Sequence, residues 1–402
     1  MNLLLITLNG ADKPGVTAKL TRLLSEYTVD VLDIGQAVIH RSLNLGILVN
    51  LPENPVAMEA TIVSLANELN LAIQLTPISE ADYDEWVGLQ GRDRTILTLL
   101  ARRIQATHIA RVTSIIFDHG LNIDGITRLS GRVSLDTGDK NKACVEFSLK
   151  GHPIDPERLK KELMAASMEL DMDIAVQKDT VFRRNRRLVV FDMDSTLIDT
   201  EVIDELAEKA GVGEEVKAIT LSAMRGEIDF RESLKKRVRT IAGLKEEVLA
   251  EIADQLPLME GAETLFRILK TLGYKTAILS GGFTYFAQAL QRSLGIDYVY
   301  ANELVIKDGR LTGEVHEPIV DAQRKAELVQ ELADKENISL QQVIAVGDGA
   351  NDLAMLATAG MGIAFHAKPL VKEKAGHAIS NMGLDSILYL MGIRDRDAGL
   401  ND

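Results

Sequence analysis

The sequence predicts an α/β chain: a C-terminal Rossmann-like parallel sheet with a small helical cap, preceded by two ferredoxin-like βαββαβ modules. Three observations carry this. Short, continuous apolar runs at Leu188–Phe191, Thr276–Leu279, Val343–Val346 and Met361–Phe365 are separated by helical patterns, as buried parallel strands are. The first 76 residues alternate strand, helix, strand, strand, helix, strand. That order then returns with an offset of 92 residues, so that Leu5 matches Leu97 and Ala18 matches Ala110. At 402 residues the chain exceeds one ordinary core, and about two to three domains are expected.

In the first module, Leu3–Leu8 reads as a strand and Val16–Glu26 as a helix, with the turn Asp12-Lys13-Pro14-Gly15 between them. Strands Val29–Ile39 and Leu45–Leu51, a helix over Val56–Leu69 and a strand Leu71–Thr76 complete it within residues 1–78. The second module, residues 93–178, repeats the pattern from Thr95, with helices at Thr107–His119 and Pro156–Leu170 and a strand at Cys144–Leu149. Polar Ser79–Arg92, with Trp86 as a packing anchor, reads as the link between the two. The run Arg183-Arg184-Asn185-Arg186-Arg187 reads as a solvated linker into a catalytic region over 183–402.

These modules resemble ACT domains, small-molecule-sensing units of amino-acid biosynthetic enzymes. The resemblance implies an effector site at Asp12 and Gly15, where a helix N-terminus favours a carboxylate and glycine leaves the backbone open. The second copy has Ala106-Thr107-His108-Ile109 at that place, which points to a pairing surface. Pairing of both copies, giving a homodimer, is the alternative to effector binding.

Composition narrows the function. The formal charge of −14 disfavours nucleic acid and anionic membrane as partners, since both repel such a surface. Cys144 is the single cysteine, so no intramolecular disulfide is possible; it reads as core. Met1–Ile6 lacks a basic segment and cannot span a bilayer, which gives a cytoplasmic expectation.

The chemistry begins at Asp192-Met193-Asp194-Ser195-Thr196, directly after the run Leu188–Phe191. Strand ends deliver functional groups in open α/β sheets, and a break in the pleat turns both acids into one crevice, one to attack phosphorus and one to move a proton. Ser280-Gly281-Gly282 offers a hydroxyl and open amides for phosphoryl oxygens. Lys325 lies near the start of a helical stretch opened by Asp321, and Gly347-Asp348-Gly349-Ala350-Asn351-Asp352 groups oxygen donors suited to a hard cation.

In this order and strand context, the four stretches resemble the motifs of haloacid dehalogenase-like hydrolases. The resemblance implies Asp192 as nucleophile and Asp194 as general acid and base, with Thr196 ordering the loop. Ser280, Gly281 and Lys325 would bind the phosphoryl group, and Asn351 and Asp352 would complete the shell. Mg2+ would be held by the carboxylates of Asp192 and Asp348 and the backbone carbonyl of Asp194. The insert from about 200 to 257 has helical spacing through Phe230, Leu234, Val238 and Ile241 and is similar to the cap of the phosphoserine phosphatase family. That similarity implies a substrate pocket of Glu201, Met224, Phe230 and Arg237, the Glu for an amine and the Arg for a carboxylate. The expected reaction is Mg2+-dependent hydrolysis of O-phospho-L-serine to L-serine in serine biosynthesis, with serine as product and candidate effector. The alternatives are a phosphatase or phosphotransferase for another small phosphorylated metabolite, and a serine-sensing regulator.

Overall fold

The computed structural model describes residues 3–52, 55–88, 94–132 and 142–399. The chain divides into two compact units, residues 1–92 and 93–402.

The first unit is a four-stranded antiparallel sheet under two helices. Strands β1 (Leu3–Ala11), β2 (Val31–Ile39), β3 (Ser42–Asn50) and β4 (Ala72–Ile78) stand in the order β2-β3-β1-β4. Helices α1 (Val16–Glu26) and α2 (Pro55–Glu68) cover one face, where Leu4, Ile6, Leu8, Leu20, Leu24, Ile47 and Ile62 form the core. Gly15 caps α1 with φ +91°, a left-handed conformation that favours glycine, and nothing crowds the position a Cβ would take. Edge strand β2 is exposed throughout.

The segment expected to be a link folds as helix α3 (Glu80–Gly88). Ser79 starts it, its hydroxyl accepting from the Asp82 backbone N–H at 3.0 Å, so the Ser-x-x-Asp signature of a helix start was present in the sequence. Trp86 is not an anchor here: it is 37% exposed and lies tilted against Tyr83.

The second unit opens with the second module: β5 (Arg94–Ala101), α4 (Ala106–Asp118), β6 (Asn122–Arg128), β7 (Ala143–Lys150), α5 (Pro156–Glu169) and β8 (Asp173–Lys178). Its sheet order, β6-β7-β5-β8, matches the first module's. One face packs under α4 and α5 through Leu97, Leu99, Val112 and Phe147. The other face differs from the first copy's: Leu100, Cys144 and Ala175 belong to the same apolar cluster as Phe191, Tyr389 and Leu390 of the following domain. Cys144 is fully buried, and burial pushes its thiol well up from the ordinary range.

Polar contacts reinforce that junction. The Arg102 guanidinium meets both Glu260 carboxylate oxygens at 2.8 and 2.6 Å and donates to the Asn381 carbonyl at 3.1 Å. The buried Asp173 carboxylate accepts from the backbone N–H groups of Ser380 and Asn381 at 2.8 and 3.0 Å. Contrary to the linker expectation, Arg183 is buried and pairs with Glu146, while the largely buried Arg186 donates to the Gln341 carbonyl. A charge run becomes structural once long-range partners can neutralise it.

The catalytic sheet is parallel, in the order β11-β10-β9-β14-β15-β16, formed by β9 (Leu188–Phe191), β10 (Lys275–Phe283), β11 (Tyr298–Asn302), β14 (Val343–Gly347), β15 (Met361–Phe365) and β16 (His377–Ile379). Strand alternation separates two cores, Val189, Phe191, Ile278, Ile344 and Val346 on one face and Leu188, Val190, Ala277, Leu279 and Ala345 on the other. Helices α6 (Val202–Ala210), α7 (Gly213–Met224), α8 (Phe230–Thr240) and α9 (Glu247–Ala253) lie between β9 and β10. Helices α10 (Ala262–Thr271), α11 (Thr284–Leu294), α12 (Ala322–Lys335), α13 (Leu353–Thr358), α14 (Pro369–Lys374) and α15 (Ile387–Leu390) complete the fold. Between α11 and α12, β12 (Leu304–Lys307) and β13 (Arg310–Val315) form a hairpin. Its turn residues Asp308 and Gly309 both have positive φ, 52° and 70°, as a type I′ turn requires.

Candidate active site

Three neighbouring strands end together. Phe191 of β9 pairs with Ile278 of β10 on one side and Val346 of β14 on the other, so Asp192, Ser280 and Asp348 follow at the same edge of the sheet. β9 is where the strand order turns back on itself, the place where open α/β sheets leave a crevice.

At the bottom of the crevice sits Lys325, 1% exposed, delivered by the first turns of α12. Asp321 caps that helix by accepting from the Arg324 N–H at 3.0 Å. The Lys325 ammonium lies 2.8 Å from Asp192 Oδ1 and 2.7 Å from Asp352 Oδ1. Burial works against its charge, but the two carboxylates outweigh that and hold the amine above its ordinary range, so it stays cationic.

Each acid has its own support. Asp192 Oδ1 also accepts from the Met193 N–H at 2.8 Å, which leaves Oδ2 without a protein donor among the described residues. Asp352, fully buried, accepts from the Gly349 N–H at 3.0 Å, and burial together with the Asp192 charge pushes its carboxyl up to about 6. Asp348 accepts from the Thr196 hydroxyl at 3.2 Å; burial and the charges of Asp192, Asp352 and Glu201 push it to about 7. Oxygens of Asp192, Asp348 and Asp352 lie within 4.8 Å of one another. One lysine does not balance this set, and hard oxygen donors that repel each other suit a divalent cation such as Mg2+. Asn351 approaches Asp352 Oδ1 at 3.5 Å.

Asp194 stands apart from the cation. Its Oδ1 accepts from the Val202 N–H at 2.9 Å, and a Cβ on Gly282 would lie 2.4 Å from Oδ2, so glycine is required there. Burial, then the Glu201 charge, raise its carboxyl well above the ordinary range. Ser280 is fully buried, and its hydroxyl accepts from the Gly282 N–H at 2.9 Å, drawing the loop 280–282 into a tight turn beside Asp194.

The cap supplies the outer wall. Ser195, held at φ +56°, donates its hydroxyl to Glu201 Oε1 at 2.8 Å. Burial raises the Glu201 carboxyl. The same desolvation lowers Arg237, opposed by Glu201, Asp204 and Asp194, and the buried Arg237 Nε has no hydrogen-bond partner. Phe230, at the start of α8, packs over the phosphate loop: a Cβ on Gly281 would meet its ring at 2.8 Å. Of the residues expected in the pocket, Met224 at the end of α7 stands 61% exposed and Glu201 is exposed as well, while Phe230 and Arg237 are half-buried. Asp12 and Gly15 belong to the first unit. The sequence reading missed Asn302 at the end of β11, which bonds to the Gly281 carbonyl; an Asn at a strand end looks like an ordinary turn residue.

The haloacid dehalogenase-like hydrolase family matches residues 186–360, and the ACT domain family matches residues 2–76. A phosphoserine phosphatase of Streptomyces coelicolor is 41% identical over 97% of this chain and 92% of its own length. One from Mycobacterium tuberculosis is 39% identical over 97% and 93%. Among solved structures, a probable phosphoserine phosphatase from Vibrio cholerae is 34% identical, covers 74% of this chain and 86% of its own, and superposes with a TM-score of 0.60.

Crowded carboxylates give the site a pH signature. A carboxyl raised by folding, as Asp348 is to about 7, contributes stability below its unfolded value and loses it as pH rises through about 7. In chelator, Asp348→Asn is therefore expected to melt about 2 °C or more above the wild type at pH 8, where repulsion is full, with the gap narrowing at pH 5. Thermal denaturation at the two pH values checks this, and an equal or lower melting temperature at pH 8 would contradict the electrostatic account.

Proposed function

The chain belongs to the phosphoserine phosphatases, haloacid dehalogenase-like hydrolases with an N-terminal ACT domain, and from that premise we propose that it hydrolyses O-phospho-L-serine to L-serine and phosphate through Asp192. It is then a phosphoric monoester hydrolase of serine biosynthesis. The observation that carries the residue assignment is the contrast between two acids two positions apart: Asp192 lies 2.8 Å from the Lys325 ammonium, whereas Asp194 accepts from the Val202 N–H and burial raises its carboxyl well above the ordinary range.

Those states suit two roles. Phosphoserine enters with its phosphoryl group between the Ser280–Gly281 loop and Lys325, whose charge neutralises the equatorial oxygens. A carboxylate oxygen of Asp192 attacks phosphorus; the new P–O bond forms as the bond to the seryl oxygen breaks, and Asp194 gives its proton to that oxygen. Serine leaves, and Asp194, now a carboxylate, takes a proton from water as the water oxygen attacks phosphorus. The bond from phosphorus to Asp192 breaks, releasing phosphate and restoring both acids. The carboxylates of Asp192 and Asp348 and the Asp194 backbone carbonyl would hold Mg2+, which would supply the charge neutralisation that lets an anionic nucleophile approach an anionic ester. Thr196 steadies Asp348, and Asp352 with Asn351 steadies Lys325.

Outside the phosphoryl pocket, Glu201 takes the substrate ammonium and Arg237 its carboxylate. The buried Arg237 Nε, which has no hydrogen-bond partner, supports this, because a buried guanidinium nitrogen is costly unless an anion completes it, and the Glu201 charge acts on the same guanidinium. Phe230 roofs the pocket, and Met224 joins it on closure of the cap.

The ACT region serves regulation by amino acid. Serine, the product, binds the first module at Asp12 and Gly15, and the exposed apolar residues Val31, Ile34 and Ile39 of β2 support a homodimer built there. No helix among the described residues is long and apolar enough to cross a membrane; the formal charge of −14 supports a protein without nucleic acid or anionic membrane as partner.

Phosphate release from phosphoserine tests the core reading: it is expected with Mg2+, lost in chelator, and lost in Asp192→Asn with the fold retained. Turnover by folded Asp192→Asn would remove it as nucleophile. For recognition, Glu201→Gln and Arg237→Ala should each lower kcat/KM for phosphoserine by roughly 10- to 100-fold, from about 1.5–3 kcal/mol per charged contact. Hydrolysis of phenyl phosphate should change far less, and equal losses on both substrates would refute the assignment. For regulation, full-length Asp12→Ala and Gly15→Val should lose the noncompetitive part of serine inhibition; an unchanged inhibition curve in both would leave the modules as assembly elements.

A further inference from the structure

Asn302, at the end of β11, is 1% exposed and uses both ends of its amide on backbone. Its Nδ2 donates to the Gly281 carbonyl at 2.8 Å, and its Oδ1 accepts from the Val320 N–H at 2.8 Å. These two partners lie in separate arms of the site. Gly281 is in the loop that holds the buried Ser280 hydroxyl, and Val320 immediately precedes Asp321, the cap of the helix that carries Lys325. The next link is short, since the Lys325 N–H bonds to the Asp321 carbonyl at 2.9 Å. Lys325 comes from helix α12 and residues 280–282 from the end of β10, where β10 leaves regular pairing with β11 between Leu279 and Phe283. The Asn302 amide spans that irregularity.

We propose that Asn302 is a positioning residue of the phosphoryl pocket, tying the Ser280–Gly281 loop to the start of the lysine helix and so setting the width of the pocket. The inference rests on the reading of Ser280, Gly281 and Lys325 as the groups that bind the phosphoryl oxygens. Its chemistry is specific. A buried group in this place must donate on one side and accept on the other, which a primary amide does in a single orientation. A carboxylate keeps the acceptor for Val320 but turns a second oxygen toward the Gly281 carbonyl, where the two repel. An apolar side chain leaves both backbone groups buried and unpaired. The fit also explains why the cap can close on this loop: with its carbonyl pinned, Gly281 presents its Cα side to Phe230, at a distance that no larger residue would leave.

The test is competitive inhibition by orthophosphate, measured on folded full-length enzyme with Mg2+ well below each variant's melting temperature. Asn302→Asp, which separates the two bonds, is expected to weaken the orthophosphate inhibition constant and kcat/KM by about tenfold or more, equally for phosphoserine and phenyl phosphate. That equality distinguishes it from Glu201→Gln and Arg237→Ala. Should Asn302→Asp fail to fold, Asn302→Ser, which is too short to span both partners, is read in the same assay with the same expectation. A residue that only held the fold would lower the melting temperature and leave orthophosphate affinity intact. A wild-type inhibition constant in either folded variant therefore overturns the proposal. Ser280→Ala is the control for the underlying reading. If it too leaves orthophosphate inhibition unchanged, the pocket assignment has failed; if it weakens inhibition and the Asn302 variants do not, only the positioning role has.

Discussion

One buried ammonium allows the rest of the site to exist. Asp192, Asp194, Asp348 and Asp352 converge where the sheet opens, and Glu201 faces them, yet Lys325 is the cation held in direct contact with the cluster. Removing a carboxylate from water without a partner costs several kcal/mol, so such a group gives up its charge or finds a counter-ion. Both outcomes occur here. Asp192 keeps the lysine as its counter-ion; Asp194, buried and beside the Glu201 charge, has its carboxyl raised well above the ordinary range. The contrast between two acids of one short motif comes from where a single side chain of α12 ends.

The two N-terminal modules show how one topology takes two structural roles. Both sheets have the same strand order, and both bury one face under their own helices. The second copy also buries its other face, through Leu100, Cys144 and Ala175, and joins the catalytic core by Arg102–Glu260 and Asp173. Glu260 lies just after the cap, and the neighbouring Met259 N–H bonds to the Leu197 carbonyl at 2.9 Å in the loop that follows Thr196. Packing of the second module thus reaches within a few residues of the catalytic carboxylates.

The parts of this arrangement that were legible in the sequence are those governed by local rules. Four continuous apolar runs gave the central strands, and the repeat gave both modules, because burial on one face and strand alternation leave a pattern in consecutive residues. The clustering of Asp192 and Asp348 was legible because both sit at strand ends. What escaped depended on distant partners. Arg183 read as solvated because its partner Glu146 lies in another domain's strand, and Trp86 read as an anchor although α3 buries none of its residues. Asn302 carried no local signal at all: its meaning lies in two backbone groups from different loops. Helix α3 is the exception, since Ser79 and Asp82 announced it within four residues.

The burial of Arg183 and of the second module's outer sheet face bears on how such a gene can be rearranged. A crossover at residue 92 falls at the boundary of the two compact units and leaves residues 93–402 in one piece. A crossover near residue 182 would strip apolar surface from Tyr389 and Leu390 and strand Glu260 without its arginine. A boundary after α3 keeps each compact unit whole, whereas one near residue 182 cuts through a single core. In lineages descended from such a chain, the first module can diverge as a unit while the second is inherited as part of the enzyme.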